Sequence, residues 1–326
     1  MNKTLKITLN VLIFALIAGF GYYIIHSTMS DEKAAQAGDG NEDITFVSPY
    51  KKTNSFNTSS NILCFDIYED AIFAALNGKV SIYDLSGNHK LDFTIKPEVR
   101  DIHVEDAAIY LLYPTEIEVF SFDGQKTGGW EAYSSHFDFC SFTTSYDYVF
   151  VTDAQNKNII QFNKEGGLVR YIKSPEGFII PSYTFDIISI NDTIYCSNSG
   201  RHKIESYTLD GEFIALFGKS GGGAGAFAGC CNPAYLEKTS TGHILTSEKG
   251  NPRISCYSRE GKFRTVLFDA NMLGGGTTAY EMHVSEDNIY IANKRTITVY
   301  TFDSNLSEKS CAGCEEECPL RKNTKK

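Results

Sequence analysis

The sequence lacks an excess of positive charge, because its 326 residues contain 30 Lys and Arg against 40 Asp and Glu, for a formal net charge of −10. Phosphate contacts need a basic face, so this balance argues against a nucleic-acid-binding protein. The chain also lacks G-x-S-x-G, H-E-x-x-H and Walker motifs. Serine-nucleophile, zinc-peptidase and P-loop chemistry therefore have no motif to support them.

Tryptophan and proline are scarce, with one Trp and 8 Pro against 22 Phe, 19 Tyr and 27 Gly. Aromatic residues favour strands, and glycine favours the tight turns between them. This composition predicts an all-β protein built from many short strands.

The segment from Ile7 to Ile25 is mostly apolar and contains no charged residue, and Lys3 and Lys6 stand just before it. At a rise of 1.5 Å per residue a helix of this length just spans a ~30 Å hydrocarbon layer. Basic residues stay on the cytoplasmic side, so the rest of the chain is expected on the extracytoplasmic, periplasmic side. We interpret residues 1–27 as a single-pass transmembrane signal anchor in the cell membrane.

Residues 28–43 are small and polar without an apolar period, and they are typical of a tether. The alternative to an uncleaved anchor is a signal peptide, for which Ala35-Gln36-Ala37 offers an A-x-A pattern. That pattern lies far beyond the apolar run, which favours the anchor.

One short pattern recurs six times between the tether and residue 303: a β-branched residue stands three positions before an aromatic residue. The aromatic positions are separated by 37 to 50 residues. In five copies a glycine follows the aromatic residue by four positions, as expected of a turn that ends a strand. The six pairs are Val80/Tyr83, Ile117/Phe120, Ile159/Phe162, Ile204/Tyr207, Ile254/Tyr257 and Ile297/Tyr300.

A period of this length with several strands per unit predicts a six-bladed β-propeller over residues 44–305, followed by a polar, cysteine-rich tail at 306–326. No β-prone run remains after Asp303 to complete the sixth blade. Residues 44–56 are expected to supply the missing strand and to close the ring by joining the chain ends.

The amino-acid sequence of the repeats resembles the NHL-repeat family, most clearly in the fifth unit. The resemblance covers about residues 60–303 and implies a six-bladed propeller that serves as a binding scaffold or sensor, and in some members as a lyase or hydrolase. The matching features are Phe217-Gly218, Gly221 to Gly225, Gly242 to Thr246, Asn251, Arg253-Ile254 and Glu260 to Phe263.

Acidic residues stand where the innermost strand of most blades begins, at Asp66, Asp101, Asp138, Asp186 and Glu281, whereas the fifth unit has Asn232-Pro233. One interpretation is that these carboxylates accept backbone N–H groups. The other is an acidic mouth that attracts a cation or a cationic ligand.

Two positions deeper on the same strand face stand His103, Cys140 and His283. Two imidazoles and one thiol that converge on an axis are a candidate zinc site of the kind that a channel-metal lyase would use. The alternative is that these histidines are simply hydrogen-bonded.

Nine cysteines include an adjacent pair, Cys230-Cys231, and three in the tail, Cys311, Cys314 and Cys318. Adjacent cysteines rarely bond each other because the eight-membered ring is strained, so the pair is expected to bind something else. The tail matches part of a ferredoxin motif. A link between loop and tail is expected, made either by disulfides or by a shared zinc or Fe–S centre.

These observations favour a non-enzymatic scaffold over an enzyme, and no catalytic residue is assigned. Its face would carry the Cys230-Cys231 loop together with Glu248, Lys249 and Arg253, and would bind a protein or a small molecule. The alternatives are a redox or metal protein whose cysteines hold an Fe–S cluster or zinc, and the channel-metal lyase.

We expect the full-length chain to sediment with membranes and residues 41–326 expressed alone to stay in the supernatant, because only the full-length chain keeps the apolar run. Protease added to intact spheroplasts should digest or release the propeller. Full protection of the propeller would contradict the orientation.

Overall fold

The computed structural model describes residues 48–130 and 136–306. These residues form six four-stranded antiparallel sheets, each of which is one blade. The predicted all-β, six-bladed propeller is therefore confirmed.

The strands of the first half follow the chain order from the inside of each blade to its outside. A first strand, β1 (Tyr50–Asn57), precedes blade 1. Blade 1 contains β2 (Ile62–Tyr68), β3 (Ala71–Leu76), β4 (Lys79–Asp84) and β5 (His89–Thr94). Blade 2 contains β6 (Asp101–Glu105), β7 (Ala108–Leu112), β8 (Ile117–Ser121) and β9 (Lys126–Trp130). Blade 3 contains β10 (Phe139–Ser145), β11 (Tyr148–Asp153), β12 (Asn158–Asn163) and β13 (Leu168–Ile172).

The second half repeats this order, with 3-10 helices at Pro181–Tyr183 and Ser199–Arg201. Blade 4 contains β14 (Ile187–Ile190), β15 (Thr193–Asn198), β16 (Lys203–Thr208) and β17 (Phe213–Phe217). Blade 5 contains β18 (Tyr235–Lys238), β19 (Ile244–Glu248), β20 (Arg253–Tyr257) and β21 (Phe263–Phe268). Blade 6 contains β22 (Met282–Ser285), β23 (Asn288–Asn293) and β24 (Thr296–Phe302), with β1 at its outer edge.

The middle strands of a blade are buried on both faces because a neighbouring blade covers each face. Strands β3 and β12 are buried along almost their whole length, whereas the outer strands β5 and β9 are mostly exposed. The apolar residues of the middle strands therefore run continuously instead of alternating with polar ones.

The hydrophobic core is divided into six clusters in the described residues, one at each interface between blades. Phe73 of blade 1 belongs to a cluster with Ile109 of blade 2, and Phe65 of blade 1 belongs to another with Tyr290 of blade 6. Burying one such side chain stabilises the fold by roughly 1.5–3 kcal/mol. No blade can bury both its faces alone, so stability depends on a complete ring.

The turn glycines of the repeat have a second role that the repeat alone does not reveal. Gly87 and Gly261 adopt positive φ values of 89° and 83°, as their turns require. A Cβ atom at Gly87 would also lie 2.3 Å from the ring of Phe56, and one at Gly261 would lie 2.2 Å from that of Phe217. The outer strand of each of these neighbouring blades therefore packs directly onto the turn backbone.

The first and last strands of the propeller close the ring. Strand β1 pairs antiparallel with β24, from Tyr50 opposite Phe302 to Asn57 opposite Thr296. The Tyr50 ring is buried and lies 5.5 Å from that of Phe268 in blade 5. Strand donation by the amino-terminal segment is confirmed for residues 50–57, and residues 44–47 lie outside the described part.

The proposed anchor at 1–27 and the tether at 28–43 also lie outside the described residues. Within residues 48–130 and 136–306, no helix has the length and apolar character needed to cross a bilayer.

Deletion of residues 44–56 should lower the free energy of unfolding by at least ~3 kcal/mol, because it removes a buried aromatic side chain and leaves the outer edge of β24 without a partner strand. Urea unfolding followed by circular dichroism measures the effect. The matched control is deletion of residues 28–41, which removes only the tether and should leave the midpoint unchanged. Equal midpoints for the two deletions would contradict closure by strand donation.

Candidate functional site

Each blade contributes one inner strand to the wall of a central channel. Neighbouring inner strands contact one another in the order β2, β6, β10, β14, β18 and β22, and β22 contacts β2 to complete the ring. They enclose a cavity of about 260 Å³, to which all six blades contribute side chains. We call it the channel cavity. Each inner strand is the edge of its own sheet, so the N–H groups on its axial side need partners from elsewhere.

Carboxylates of neighbouring blades supply these partners. Asp66, Asp101, Asp186 and Glu281 each accept an N–H group from the inner strand of the next blade. The acceptor distances are 2.7 Å from Val104 N to Asp66 Oδ2, 3.0 Å from Phe142 N to Asp101 Oδ2, 2.6 Å from Leu236 N to Asp186 Oδ2 and 3.2 Å from Phe65 N to Glu281 Oε1. These acids accept backbone N–H groups, as one of the two interpretations of the sequence predicts, but each of these four hydrogen bonds joins two blades.

Blade 3 departs from the expected pattern because β10 contains an irregularity between Phe139 and Phe142. Asp138 does not line the channel cavity; its carboxylate lies 3.5 Å from the guanidinium of Arg100. Ser141 lines the wall and donates its hydroxyl to Asp186 Oδ1 at 2.6 Å.

His103 and His283 both face the carboxylate of Asp66. The Nδ1 atom of His103 lies 3.2 Å from Asp66 Oδ2, and the Nδ1 atom of His283 lies 3.5 Å from Asp66 Oδ1. His283 Nδ1 is also 3.0 Å from Glu237 Oε2. Cys140 lines the same cavity, but its thiol is directed to the carbonyl oxygen of Asp138 at 3.6 Å.

The three predicted channel ligands thus line the same cavity, from blades 2, 3 and 6. However, the described residues contain no group of three or more His, Cys, Asp or Glu side chains arranged to hold a metal ion. Both imidazoles are engaged with carboxylates. The zinc site predicted from His103, Cys140 and His283 is not found in this part of the chain.

The ion pairs hold both histidines in the charged form. Burial would lower the pKa of His103, but hydrogen bonds to Asp66 and Glu105 outweigh it and raise the pKa to about 9. The pKa of His283 is raised as well, because Glu237 and Glu281 outweigh its burial. Burial would raise the pKa of Asp66, but the two histidines lower it.

Three other carboxylates of the cavity wall behave in the opposite way. Burial, together with the charges of Asp186 and Glu281, raises the pKa of Asp101 to about 8. Burial raises the pKa of Asp186 to about 6, although hydrogen bonds from Ser141 and from backbone N–H groups oppose it. The pKa of Glu281 is raised too, chiefly by burial. This part of the wall therefore has a negative potential that favours protonation.

A second cavity, of about 380 Å³, shares Arg100, Ser141 and Asp186 with the channel cavity and also includes Tyr183 and Lys249. We call it the mouth. The Arg100 guanidinium carbon lies 5.9 Å from the centroid of the Tyr183 ring. The mouth therefore combines an aromatic face with cationic and anionic groups.

Two residues predicted to face a ligand are buried instead. Arg253 donates to both carboxylate oxygens of Glu248, at 2.6 and 2.9 Å, and their side chains are 9% and 1% exposed. Arg253 also donates to the carbonyl groups of Gly222 and Ala226, which lie in the glycine-rich loop at residues 221–226. The pair holds this loop against blade 5 and is not available to a ligand, because burial has removed it from the surface. Lys249, the remaining predicted residue of this hairpin, lines the mouth.

The cysteines divide into two groups. In the described residues the sulfur atoms of Cys230 and Cys231 lie 2.7 Å apart. The two thiols therefore contact each other, whereas the sequence predicts that they bind other groups. Cys311, Cys314 and Cys318 lie outside the described residues, and so does any link between them and the loop.

Tyr235 and Glu237 of β18 line the channel cavity and were not predicted. Their spacing of two residues on a strand is a signal that could have identified them. The long insertion before Asn232-Pro233 displaced the expected start of this strand. Asn232 instead pairs with the backbone of Lys249 through both side-chain atoms, at 2.9 Å each.

No protein-family model matches the chain, and no curated protein is similar in sequence. Several solved structures share its fold. A virginiamycin B lyase from Staphylococcus aureus has 12% identity and a TM-score of 0.54, over 77% of this chain and 99% of that one. A streptogramin B lyase has 15% identity and a TM-score of 0.56, over 81% and 100%. A protein of unknown function from Bacteroides thetaiotaomicron has 13% identity and a TM-score of 0.57, over 79% and 75%. At these identities the likeness shows the propeller fold alone, and the NHL resemblance is not confirmed.

The free energy of unfolding should decrease as the pH rises from about 6.5 to 9. The raised pKa of His103 means that its charged form stabilises the fold fully below its unfolded pKa of about 6.5, and that this contribution is lost as the pH passes about 9. The raised pKa of Asp101 acts in the same direction. Urea unfolding at a series of pH values measures the slope.

His103→Gln should reduce this slope, because it removes the titrating imidazole. His89→Gln is the matched control, since His89 is an exposed residue at the start of β5, away from the channel. Equal slopes for His103→Gln and the wild-type protein would contradict the assignment.

Proposed function

We propose that the protein is a binding module that takes up a small organic cation through its mouth into the channel cavity. The supporting observation is the arrangement of Asp101 and Asp186. Both carboxylates line the cavity, yet among the described residues neither has a Lys, Arg or His side chain within ion-pair distance. Buried charges are normally paired, so these two acids provide a place for a charge that the chain itself does not supply.

The electrostatics favour a positive ligand. Burial raises the pKa of both carboxyl groups, and repulsion adds to it, from Asp186 and Glu281 at Asp101 and from Glu281 at Asp186. A cation that enters the cavity would offset this repulsion and displace the bound proton. Because the interaction takes place away from bulk water, it is screened less than it would be at the surface.

Hydrogen bonding favours an ammonium or guanidinium group over a metal ion. Asp101 accepts the N–H groups of Ile102 at 2.8 Å and Phe142 at 3.0 Å, one on each carboxylate oxygen. The remaining lone pairs can accept N–H donors without loss of these backbone bonds. A metal ion would require several ligands at short distances, which these fixed carboxylates do not offer.

The mouth supports the same ligand class. Arg100 of the chain rests near the Tyr183 ring and beside the Asp138 carboxylate. The entrance therefore already accommodates one guanidinium group, between an aromatic face and a carboxylate.

The location that we propose for the module rests on its sequence. We propose that the uncharged run after Lys3 and Lys6 anchors it in the cell membrane and that the propeller lies on the extracytoplasmic side. The support is the charge asymmetry around that run and the polar tether that follows it.

Two other functions are kept as alternatives. The partial ferredoxin motif of the tail supports a redox or metal protein that holds an Fe–S cluster or zinc. The lyases that share the fold, together with His103 and His283 in the cavity wall, support a lyase. The raised pKa of both imidazoles disfavours their use as general bases at neutral pH. Metal analysis and an absorption spectrum of anaerobically purified protein would identify a metal centre.

Agmatine, which carries an ammonium and a guanidinium group, should bind more tightly as the pH rises from 6 to 8 and should release protons on binding. The reason is that Asp186 and Asp101 have pKa values of about 6 and 8 and must lose their protons to pair with the ligand. Isothermal titration calorimetry in buffers of different ionisation enthalpy measures both effects.

Asp101→Asn and Asp186→Asn should each weaken agmatine binding by about tenfold or more, since a hydrogen bond to a charged group contributes roughly 1.5–3 kcal/mol. Asp210→Asn is the matched control, because the Asp210 side chain is 81% exposed on an outer turn. A neutral diol of similar length should not bind. Equal binding of the diol, or unchanged affinity in both channel variants, would contradict the proposal.

A further inference from the structure

The adjacent thiols of Cys230 and Cys231 form a second chemical site, distinct from the carboxylates of the channel. They lie in the segment between β17 and β18, and their sulfur atoms are 2.7 Å apart, closer than van der Waals contact. Both are free thiols. Nothing in the proposed cation site requires them.

The backbone on both sides of the pair is fixed. Asn232 is 1% exposed and donates to the carbonyl groups of Ala228 at 2.6 Å and Lys249 at 2.9 Å. Its side-chain oxygen accepts the N–H group of Lys249 at 2.9 Å. On the other side, His202 Nε2 hydrogen-bonds to the carbonyl oxygen of Gly229. The fold therefore holds the two sulfur atoms together.

The two thiols differ in access and in environment. Cys230 is exposed, whereas Cys231 is 1% exposed and its sulfur lies 3.7 Å from Ser182 Oγ. Burial would raise the pKa of Cys231, but contacts with the Cys230 thiol and Ser182 and the charge of Lys249 outweigh it and lower the pKa. Solvent can thus reach one sulfur, while the neighbouring sulfur is the better nucleophile.

Three other cysteines of the described residues, Cys64, Cys140 and Cys196, lie in a different environment. Cys64 and Cys196 are buried in blade interfaces, and burial raises the pKa of each well above its ordinary value. Cys140 is partly buried, and burial raises its pKa to about 12. In contrast to Cys64, Cys140 and Cys196, the 230–231 pair combines sulfur–sulfur contact with a lowered pKa of one thiol.

We propose that Cys230 and Cys231 form a redox-active dithiol that external disulfides oxidise to a bond between the two adjacent residues. The exposed Cys230 sulfur attacks a disulfide RSSR, forms a mixed disulfide and releases one RSH. The Cys231 sulfur then attacks the Cys230 sulfur and releases the second RSH. Two S–H bonds are lost, one S–S bond forms within the chain, and RSSR is reduced to two RSH.

Adjacency determines how such a bond behaves. The eight-membered ring is strained, so the bond is readily reduced and suits a reversible site more than a permanent crosslink. Oxidation also removes the ionisable thiol of Cys231, whose pKa the charge of Lys249 helps to lower. Lys249 and Ser182 both line the mouth, so the redox state of the pair changes the chemistry beside this entrance.

Thiol mapping of the full-length chain tests this proposal. The protein is treated with oxidised or reduced glutathione, quenched with acid, alkylated and digested, and the peptide containing residues 230–231 is measured by mass spectrometry. The same experiment on the triple variant Cys311→Ser, Cys314→Ser, Cys318→Ser removes the tail thiols. In both proteins we expect oxidised glutathione to remove two hydrogen atoms from this peptide and to block its alkylation, and excess thiol to reverse both effects.

A second probe requires no oxidant. Phenylarsine oxide condenses with two neighbouring thiols, forming two As–S bonds and releasing one water molecule. In the triple variant, one arsenical per chain should bind at residues 230–231. Cys230→Ser and Cys231→Ser should each abolish this binding, whereas Cys140→Ser, the matched control in the channel wall, should retain it.

Three results would overturn the proposal. One is that both thiols remain open to alkylation after oxidation. Another is a glutathione adduct that persists on Cys230 without attack by Cys231. The third is a disulfide from either residue to a tail cysteine. Absence of arsenical binding in the triple variant would contradict the proposal independently of how the serine variants fold.

Discussion

The hydrogen bond between a carboxylate of one blade and a backbone N–H group of the next determines how this ring is assembled at its centre. Every inner strand is the edge of its sheet, and an unpaired edge is costly when it is buried around a narrow axis. Asp66 satisfies Val104, and Glu281 satisfies Phe65 across the join between the last blade and the first. The same contact that satisfies the backbone also fixes the position of one blade relative to its neighbour.

This arrangement brings several acids into a small space, and the chain treats them in two ways. Asp66 remains ionised because His103 and His283 face its two oxygen atoms. Asp101 and Asp186 receive N–H donors but no cation within the described residues, so burial raises the pKa of each. The structural requirement thus creates a site whose protonation state is sensitive near neutral pH. Structure and chemistry at the axis depend on the same atoms.

The number of blades, the strand donated by the amino-terminal segment and most of the channel acids could be predicted because they depend on local repeats and on the alternation of strand residues. Asp138 could not be placed correctly, since the irregularity in β10 moves it out of the channel wall. The sequence predicts that Glu248 and Arg253 lie at the surface, whereas the structure buries both, because their burial depends on how the glycine-rich loop folds over them. The packing of Phe56 on Gly87 joins separate blades, and no local pattern records it.

The closing strand has a consequence for the order of events during synthesis. Strand β1 is the first part of the propeller to leave the ribosome, and its partner β24 is the last. Blades 1 to 5 each consist of one continuous stretch of chain and can form in turn as translation proceeds, as domains commonly do. The sixth blade must wait until the chain is almost complete, and until then Tyr50 has no hydrophobic contact with Phe268 or Phe302. A truncated product that stops before residue 296 would therefore remain an open arc with an exposed apolar edge, which is the form of the chain most exposed to aggregation and to quality-control proteases.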